Sequence, residues 1–342
     1  MPLANLGQAY SSVLSYVTVL GQQQRFRVRP FNTSVIEGES ATLRCEVDHQ
    51  AGRLQWAKDG FAMGYSRSLP GYHRYRVVGD ADLGVHDLEL TNATLEDEGR
   101  FQCQVSPDGG QPAIRVDAYL TVLLKPVSVR LRSHHWLPVP SGLMQVRHDQ
   151  NITLECDVTG AKPASGVLWR RNGVDLDQES VHEVMHTSSL RRRSNTTSAI
   201  SFRATSADDG VDISCLAQHP AVAEAEQRRY TASHTLSVLF GPERVRVWGT
   251  TEAKEGDTVH MSCVTSGSNP PANITWFLDS HPVAQASHIV RLAAAGGWTT
   301  ASNMSTVVPP GTRRDLQVSC RASNRALDVT EVGSAAVSVL CE

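Results

Sequence analysis

Six of the seven cysteines fall into three pairs whose members lie 57 to 59 residues apart. The pairs are Cys45 with Cys103, Cys156 with Cys215, and Cys263 with Cys320. A tryptophan follows the first cysteine of each pair by 11 or 13 residues, at Trp56, Trp169 and Trp276. This spacing is typical of a two-sheet sandwich in which a disulfide joins strands B and F and the strand C indole packs against it. The repeat therefore predicts an all-β chain of three tandem immunoglobulin-like β-sandwich domains.

Apolar residues alternate around these cysteines, as they do in strands with one buried face. Leu43, Cys45 and Val47 fall on one face of such a strand. The tyrosine that usually stands two residues before the second cysteine is replaced in all three repeats, by Phe101, Ile213 and Val318. We therefore expect no tyrosine-corner hydrogen bond in any of the three domains.

A similar final strand closes each repeat, and Pro126 and Pro242 mark short linkers after the first two. The predicted domains are residues 25–125 (V or I type), 126–241 (C2 type) and 242–342. Linkers this short predict an extended, semi-rigid rod. Cys341 occupies an apolar position of the last strand, so we interpret it as a packing residue, with an intermolecular disulfide as the alternative.

Several features favour the secretory route. Residues 1–21 predict a possible signal peptide with an apolar stretch before Gly21, although no Lys or Arg precedes that stretch. The sequence contains six Asn-x-Ser/Thr sequons, whereas chance would supply about one or two. This excess indicates a glycosylated, oxidising environment. The sequence predicts N-glycosylation at Asn32, Asn92, Asn151, Asn195, Asn273 and Asn303. No stretch approaches the roughly 18 apolar residues that a membrane span needs.

Charge and motifs argue against nucleic-acid binding and catalysis. The net charge is −3, and the basic run 191–193 is interpreted as a solvated strand end. Residues 182–186 read His-Glu-Val-Met-His, the zinc-peptidase pattern, but they fall between Trp169 and Cys215, where the fold places strands. Histidines four residues apart are about 6 Å apart along a helix and about 13 Å apart along a strand. His134-His135 also lacks ligand spacing, so we expect no metal, no cofactor, no small-molecule substrate and no enzyme activity.

The outward side chains of the first domain form a candidate binding surface. Because Trp56 points inward, Gln55 and Ala57 should point outward from strand C, and Gln102 and Gln104 should do so from the neighbouring strand F. A carboxamide donates and accepts hydrogen bonds, which suits a face that pairs with a copy of itself. Uncharged amides also suit an interface core, although an ordinary solvated sheet is the alternative.

Two further observations concern the same surface. Phe61 and Met63 follow strand C and add apolar area beside the glutamines. The sequons at Asn32 and Asn92 fall in segments that we assign to the opposite sheet or its edge, which predicts a sugar-free face.

Several segments resemble the nephrin family, which comprises nephrin and the Neph/Kirre-type immunoglobulin-superfamily cell-adhesion proteins. The segments that carry the resemblance are residues 55–64, 70–77 and 101–105, with 161–164 and 267–271 in the later domains. Pro70-Gly71 before Arg74 favours the nephrin branch.

The resemblance implies an adhesion ectodomain at the extracellular face of the plasma membrane, belonging to a type I membrane protein. Such an ectodomain binds itself or a nephrin-family partner through the C, F and G strands of its first domain. The implied partner-binding residues are Gln55, Phe61, Met63, Gln102 and Gln104. The alternative function is a secreted or soluble immunoglobulin receptor, or decoy, for an extracellular protein ligand.

Overall fold

The structure is a computed structural model. It describes residues 22–133, 143–177, 181–187, 192–284, 286–294, 296–312 and 314–340. The chain divides into two compact units between Leu123 and Leu124. The predicted all-β fold is confirmed. The predictions for residues 1–21, for His134-His135, for Arg191 and for Cys341 lie outside the described residues.

The first unit is a single β-sandwich. Its strands are β1 (Arg25–Val28), β2 (Thr33–Ile36), β3 (Ala41–Leu43), β4 (Glu46–Asp48), β5 (Leu54–Lys58), β6 (Phe61–Gly64), β7 (Tyr75–Val78), β8 (Asp87–Leu90), β9 (Gly99–Val105) and β10 (Ile114–Leu123). One sheet, here called the face sheet, has the order β2, β10, β9, β5, β6, and the opposite sheet has the order β3, β8, β7. Strand β2 runs parallel to β10, and β1 pairs with β4. A short 3-10 helix (Leu95–Asp97) precedes β9.

The turn between β5 and β6 follows directly from the sequence. Asp59 and Gly60 are the two loop residues, with φ angles of 50° and 89°. Two-residue hairpin loops with positive φ at both positions match the twist of the flanking strands, and Asp-Gly is a preferred pair for them. This turn places Phe61 directly opposite Lys58.

The second unit contains two further sandwiches among its described residues. The strands of the first are β11 (Ser128–Ser133), β12 (Leu143–Arg147), β13 (Asn151–Ala161), β14 (Gly166–Arg171), β15 (Val174–Asp175), β16 (Val181–Thr187), β17 (Ser194–Arg203), β18 (Asp212–Gln218) and β19 (Thr231–Leu239). They form sheets in the orders β11, β13, β17, β16 and β12, β19, β18, β14, β15. Short 3-10 helices lie at Ser206–Asp208 and Glu224–Tyr230.

The last sandwich repeats this plan. Its strands are β20 (Val245–Gly249), β21 (Glu252–Ala253), β22 (Thr258–Thr265), β23 (Asn273–Leu278), β24 (His281–Val283), β25 (Ala286–Leu292), β26 (Trp298–Val307), β27 (Leu316–Asn324) and β28 (Val329–Val339). The sheet orders are β20, β22, β26, β25 and β21, β28, β27, β23, β24. None of the helices in the described ranges is long and apolar enough to span a membrane.

A disulfide and a tryptophan occupy the centre of each sandwich. The described residues contain the bridges Cys45–Cys103, Cys156–Cys215 and Cys263–Cys320, each within one sandwich. A buried indole N–H needs a hydrogen-bond acceptor. Trp56 Nε1 donates to the His86 carbonyl at 2.9 Å, Trp169 Nε1 to Ser198 Oγ at 3.0 Å, and Trp276 Nε1 to Ser302 Oγ at 2.9 Å. In the second and third sandwiches this bond therefore ties the two sheets together through a serine hydroxyl.

Replacing Ser198 by alanine should destabilise the second sandwich by about 1–3 kcal/mol, because the Trp169 N–H would remain buried without an acceptor. Denaturant unfolding of the whole chain, followed by a probe in this sandwich, would measure the loss. Ser201→Ala is the matched control, since Ser201 lies on the same strand but is exposed. Its effect should stay within about 0.5 kcal/mol. Equal effects for the two substitutions would contradict the assignment.

The segment with the zinc-peptidase pattern is part of β16. His182 lies opposite Ala199 and His186 opposite Asn195 in an antiparallel ladder with β17. Positions four apart along a strand are separated by about 13 Å, so this segment lacks the helical spacing that the zinc-peptidase pattern requires.

A buried carboxylate occupies the turn before β9 of the first sandwich. Asp97 is only 3% exposed, and it accepts hydrogen bonds from the Arg74 guanidinium, the Tyr75 hydroxyl and the Thr94 amide. Burial alone would raise the pKa of Asp97, but these hydrogen bonds outweigh it and hold the pKa below its ordinary value. Burial likewise raises the pKa of the Tyr75 hydroxyl, and the neighbouring Asp97 carboxylate adds to that rise.

Candidate interaction face of the first domain

Two rows of side chains cross the face sheet. In the first row Gln55 lies directly opposite Gln104, and Gln104 lies opposite Arg115. In the second row Ala57 lies opposite Gln102, and Gln102 lies opposite Asp117. The glutamines are half-buried, as expected for side chains that stand on a sheet next to neighbours. The structure therefore brings the three predicted glutamines together on one surface.

The second row has a fixed hydrogen-bond pattern. Gln102 Nε2 donates to Asp117 Oδ1 at 2.7 Å, and Arg100 Nη2 donates to Asp117 Oδ2 at 2.8 Å. The hydrogen bond from Arg100, followed by the one from Gln102, holds the pKa of Asp117 below its ordinary value. Asp117 is therefore ionised at neutral pH, and it fixes the direction in which the Gln102 amide points.

Three exposed aromatic side chains lie on the strands of the face sheet or directly after them. Phe61 is 75% exposed at the tip of the β5–β6 hairpin, and Tyr65 is 47% exposed just beyond β6. The Arg53 guanidinium lies 4.1 Å from the centre of the Tyr65 ring, a cation–π distance. Tyr119 on β10 is 43% exposed. A large exposed apolar ring beside amides and charges is the composition of a protein-binding surface.

Sequence reasoning missed several members of this surface. Arg115, Asp117 and Tyr119 alternate with the inward residues of β10. This alternation is visible in the sequence, and it could have predicted that the three side chains point outward. Arg53 and Tyr65 could not be paired from sequence, because their contact depends on how the chain continues after β6.

The prediction that Met63 belongs to the face is wrong. Its side chain is only 3% exposed and lies in the core. The reason is the alternation along β6, because Ala62 pairs with Ala57 on the outer side of the face sheet. Met63 therefore leaves the strand on the core side, like Trp56. Phe61 leaves β6 on that side too, since it pairs with Lys58, which lies opposite the buried Phe101, but it stays exposed because it stands at the end of an edge strand. Ala57 is also covered, at 4% exposure, so it contributes little accessible surface.

The sequon at Asn32 lies differently from the expectation. Asn32 immediately precedes β2, which joins the face sheet beside β10, and Asn32 Oδ1 accepts a hydrogen bond from the Tyr119 amide at 2.9 Å. A glycan there would border the face on its β10 side. Asn92 follows β8 and so belongs to the opposite sheet, as expected. Strands β5, β6, β9 and β10 carry no sequon.

The other sequons differ in exposure. Asn151, Asn273 and Asn303 are exposed. Asn195 is half-buried, and its Oδ1 accepts a hydrogen bond from the Gly160 amide at 2.9 Å.

Comparisons with known proteins find immunoglobulin-domain families and adhesion-protein relatives. An immunoglobulin-domain family matches residues 25–107, and the CD80-like C2-set immunoglobulin-domain family matches residues 137–226 and 242–331. Kin of IRRE-like protein 1 of Homo sapiens is 29% identical over 94% of this chain and 38% of its own length. The Irregular chiasm C-roughest protein of Drosophila melanogaster is 28% identical over 77% of this chain and 36% of its own length. Nephrin of Homo sapiens is 28% identical over 76% of this chain and 20% of its own length.

The chain belongs to the nephrin/Neph family of immunoglobulin-superfamily adhesion proteins. The resemblance found in the sequence is confirmed, and these family members are adhesion receptors rather than enzymes. Relatives of both branches match with similar identity, so the preference for the nephrin branch stays a prediction. The chain spans less than two fifths of the length of these relatives.

Solved structures show the same relationship. A crystal structure of Rst D1-D2 is 32% identical, with a TM-score of 0.53, and it covers 64% of this chain and 100% of its own. The full ectodomain (Ig1–Ig3) of mouse nectin-like molecule 4 has a TM-score of 0.60 over 90% of this chain and 97% of its own. At 20% identity the second likeness concerns the fold alone.

Proposed function

We propose that this chain is the recognition region of a cell-surface adhesion protein and that its first domain binds a second copy, or a nephrin/Neph relative, through the face sheet. The observation that carries the proposal is the register that sets Gln55, Gln102 and Gln104 side by side on one surface. The exposed Phe61 at the tip of the β5–β6 hairpin, on the edge strand of the same sheet, is proposed to join the contact. The protein would act at the extracellular face of the plasma membrane. The domains would be residues 25–125, 126–241 and 242–342.

Self-pairing fits the chemistry of this surface. A two-fold interface presents the same patch on both partners, so each group must meet a group that it complements. Glutamine satisfies this condition with another glutamine because its amide both donates and accepts. Phe61 supplies the apolar anchor that such interfaces require.

Charges at the β10 side would select the partner. Arg100 and Asp117 are ion-paired at 2.8 Å on an exposed surface, and Arg115 is exposed in the adjacent row. Rim charges of this kind contribute more to orientation and to the discrimination of partners than to affinity. A weak pairing of single domains would become strong when many copies cluster on two opposing membranes.

Gln55→Ala should weaken self-association of the chain by about 5- to 150-fold, since each lost hydrogen bond is worth about 0.5–1.5 kcal/mol and a two-fold interface loses it twice. Aggregation of beads coated with the purified chain, together with sedimentation of the soluble chain, would measure the change. Beads coated with ectodomains of nephrin/Neph relatives would test heterophilic pairing in the same assay.

Gln145→Ala is the matched control, because Gln145 is an exposed strand glutamine of the second sandwich. It should leave aggregation unchanged. Equal aggregation by wild type and by Gln55→Ala, with both chains folded, would reject this face.

A further inference from the structure

An exposed tryptophan and a predicted glycosylation site share one row of the third sandwich. On the sheet of β20, β22, β26 and β25, Trp248 lies opposite Ser262, and Ser262 lies opposite Asn303. Ser287 completes the row on the far side of Asn303. Neighbouring strands are about 4.8 Å apart, so about 10 Å separates the backbones at Trp248 and Asn303.

The members of this row point to the same side of the sheet. Met261 and Cys263 are buried, so Ser262 between them points outward. Asn303 is exposed between the buried residues Ser302 and Met304. Val247 packs against the core, so Trp248 beside it also points outward, with 53% of its surface exposed.

The space between the indole and the asparagine is shallow and polar. Ser262 is small, so no long side chain in this row separates Trp248 from Asn303. In the next row His260 Nδ1 and Ser305 Oγ form a hydrogen bond of 2.8 Å, and both groups lie on the exposed face. Ser305 is also the hydroxyl residue of the Asn303 sequon. The Trp248 ring, the small Ser262 side chain and the polar His260–Ser305 pair therefore all lie within reach of a sugar attached to Asn303.

We propose that the glycan on Asn303 lies across β22 and that its first N-acetylglucosamine stacks on the Trp248 indole. A sugar ring presents a face of C–H bonds with slight positive charge, and the face of an indole is negative, so the two attract each other weakly. Because the sugar is covalently attached two strands away, its effective concentration at Trp248 is high, and a weak contact is sufficient. The covered row is then closed to protein partners.

The test needs the full chain secreted from mammalian cells, with glycopeptide mass spectrometry to measure occupancy at Asn303. Acrylamide quenching of Trp248 is obtained as the difference between the chain and its Trp248→Phe variant. Loss of the glycan in Asn303→Gln should raise the Trp248 quenching constant about twofold, because a stacked sugar hides one of the two ring faces. Trimming the glycan to a single N-acetylglucosamine should leave the constant at its wild-type value.

Two variants separate the glycan from side effects of substitution. Ser305→Ala removes the sequon without altering Asn303, and it should reproduce the effect of Asn303→Gln. Asn273→Gln removes a sequon from the other sheet of the same sandwich, where Asn273 lies opposite Ser323, and it should leave Trp248 unchanged. An unoccupied Asn303, or a Trp248 quenching constant that is the same with and without the glycan, would overturn the proposal.

Discussion

Asp97→Ala is expected to destabilise the first sandwich by about 2–3 kcal/mol, because the buried Tyr75 hydroxyl loses its acceptor and the partly exposed Arg74 loses its ion-pair partner. The carboxylate receives hydrogen bonds from Arg74, Tyr75 and Thr94, which join β7 to the turn before β9. Without it the Arg74 charge, whose side chain is 34% exposed, and the buried Tyr75 hydroxyl would lack their partner. A loss of this size is a large fraction of the stability of a single domain.

Denaturant unfolding, with a probe confined to the first sandwich, would measure this loss. Asp82→Ala is the matched control, since Asp82 is an exposed aspartate of the same sandwich. Its effect should remain within about 0.5 kcal/mol. A loss below about 1 kcal/mol for Asp97→Ala would mean that the buried network does not hold the turn in place.

The same carboxylate should make the stability of the first sandwich depend on pH. Its pKa is lower in the folded domain than the ordinary 3.8. The ionised Asp97 therefore contributes its full stabilisation at pH values above the pKa of the unfolded chain. This contribution is lost as the pH falls through the lowered pKa of the folded domain. The difference in unfolding free energy between wild type and Asp97→Ala should shrink in that acid range, and a difference that stays constant there would contradict the assignment.

The features that sequence predicted correctly are those set by local spacing. The Cys-Trp-Cys spacing determines which strands face each other across a sandwich, so the all-β fold follows from it. Alternation along one strand determines which side chains point outward, and for this reason Gln55, Gln102 and Gln104 meet on one surface.

The features that sequence missed depend on how strands pair. Met63 lies on the core side because Ala62, and not Met63, pairs with the outward position Ala57. Asn32 lies at the edge of the face sheet because β2 pairs in parallel with β10, almost ninety residues later. The parallel pairing of β2 leaves no local pattern, so it could not be inferred from residue order, whereas the two-residue Asp59-Gly60 turn already indicates the register that puts Met63 in the core.

Phe61→Asp is expected to weaken self-association of the chain at least a hundredfold while leaving the first sandwich folded. At 75% exposure the ring contributes little to the core, so its replacement should not alter the unfolding free energy by more than about 0.5 kcal/mol. In a two-fold interface the same ring is buried on both partners, and truncating an aromatic anchor commonly costs about 2 kcal/mol or more. A carboxylate at this position adds the cost of burying a charge.

Phe61→Ala separates loss of the apolar anchor from the effect of the new charge, because an aspartate beside Lys58 would change the local electrostatics. The alanine variant should weaken self-association by about thirtyfold or more, less than the aspartate variant. Leu83→Asp is the matched control for added charge, because Leu83 is a similarly exposed apolar residue (65%) in the connection between β7 and β8 of the opposite sheet. If Leu83→Asp reduces association as strongly as Phe61→Asp, the binding surface does not lie on the face sheet, because only a general effect of charge would then explain both losses.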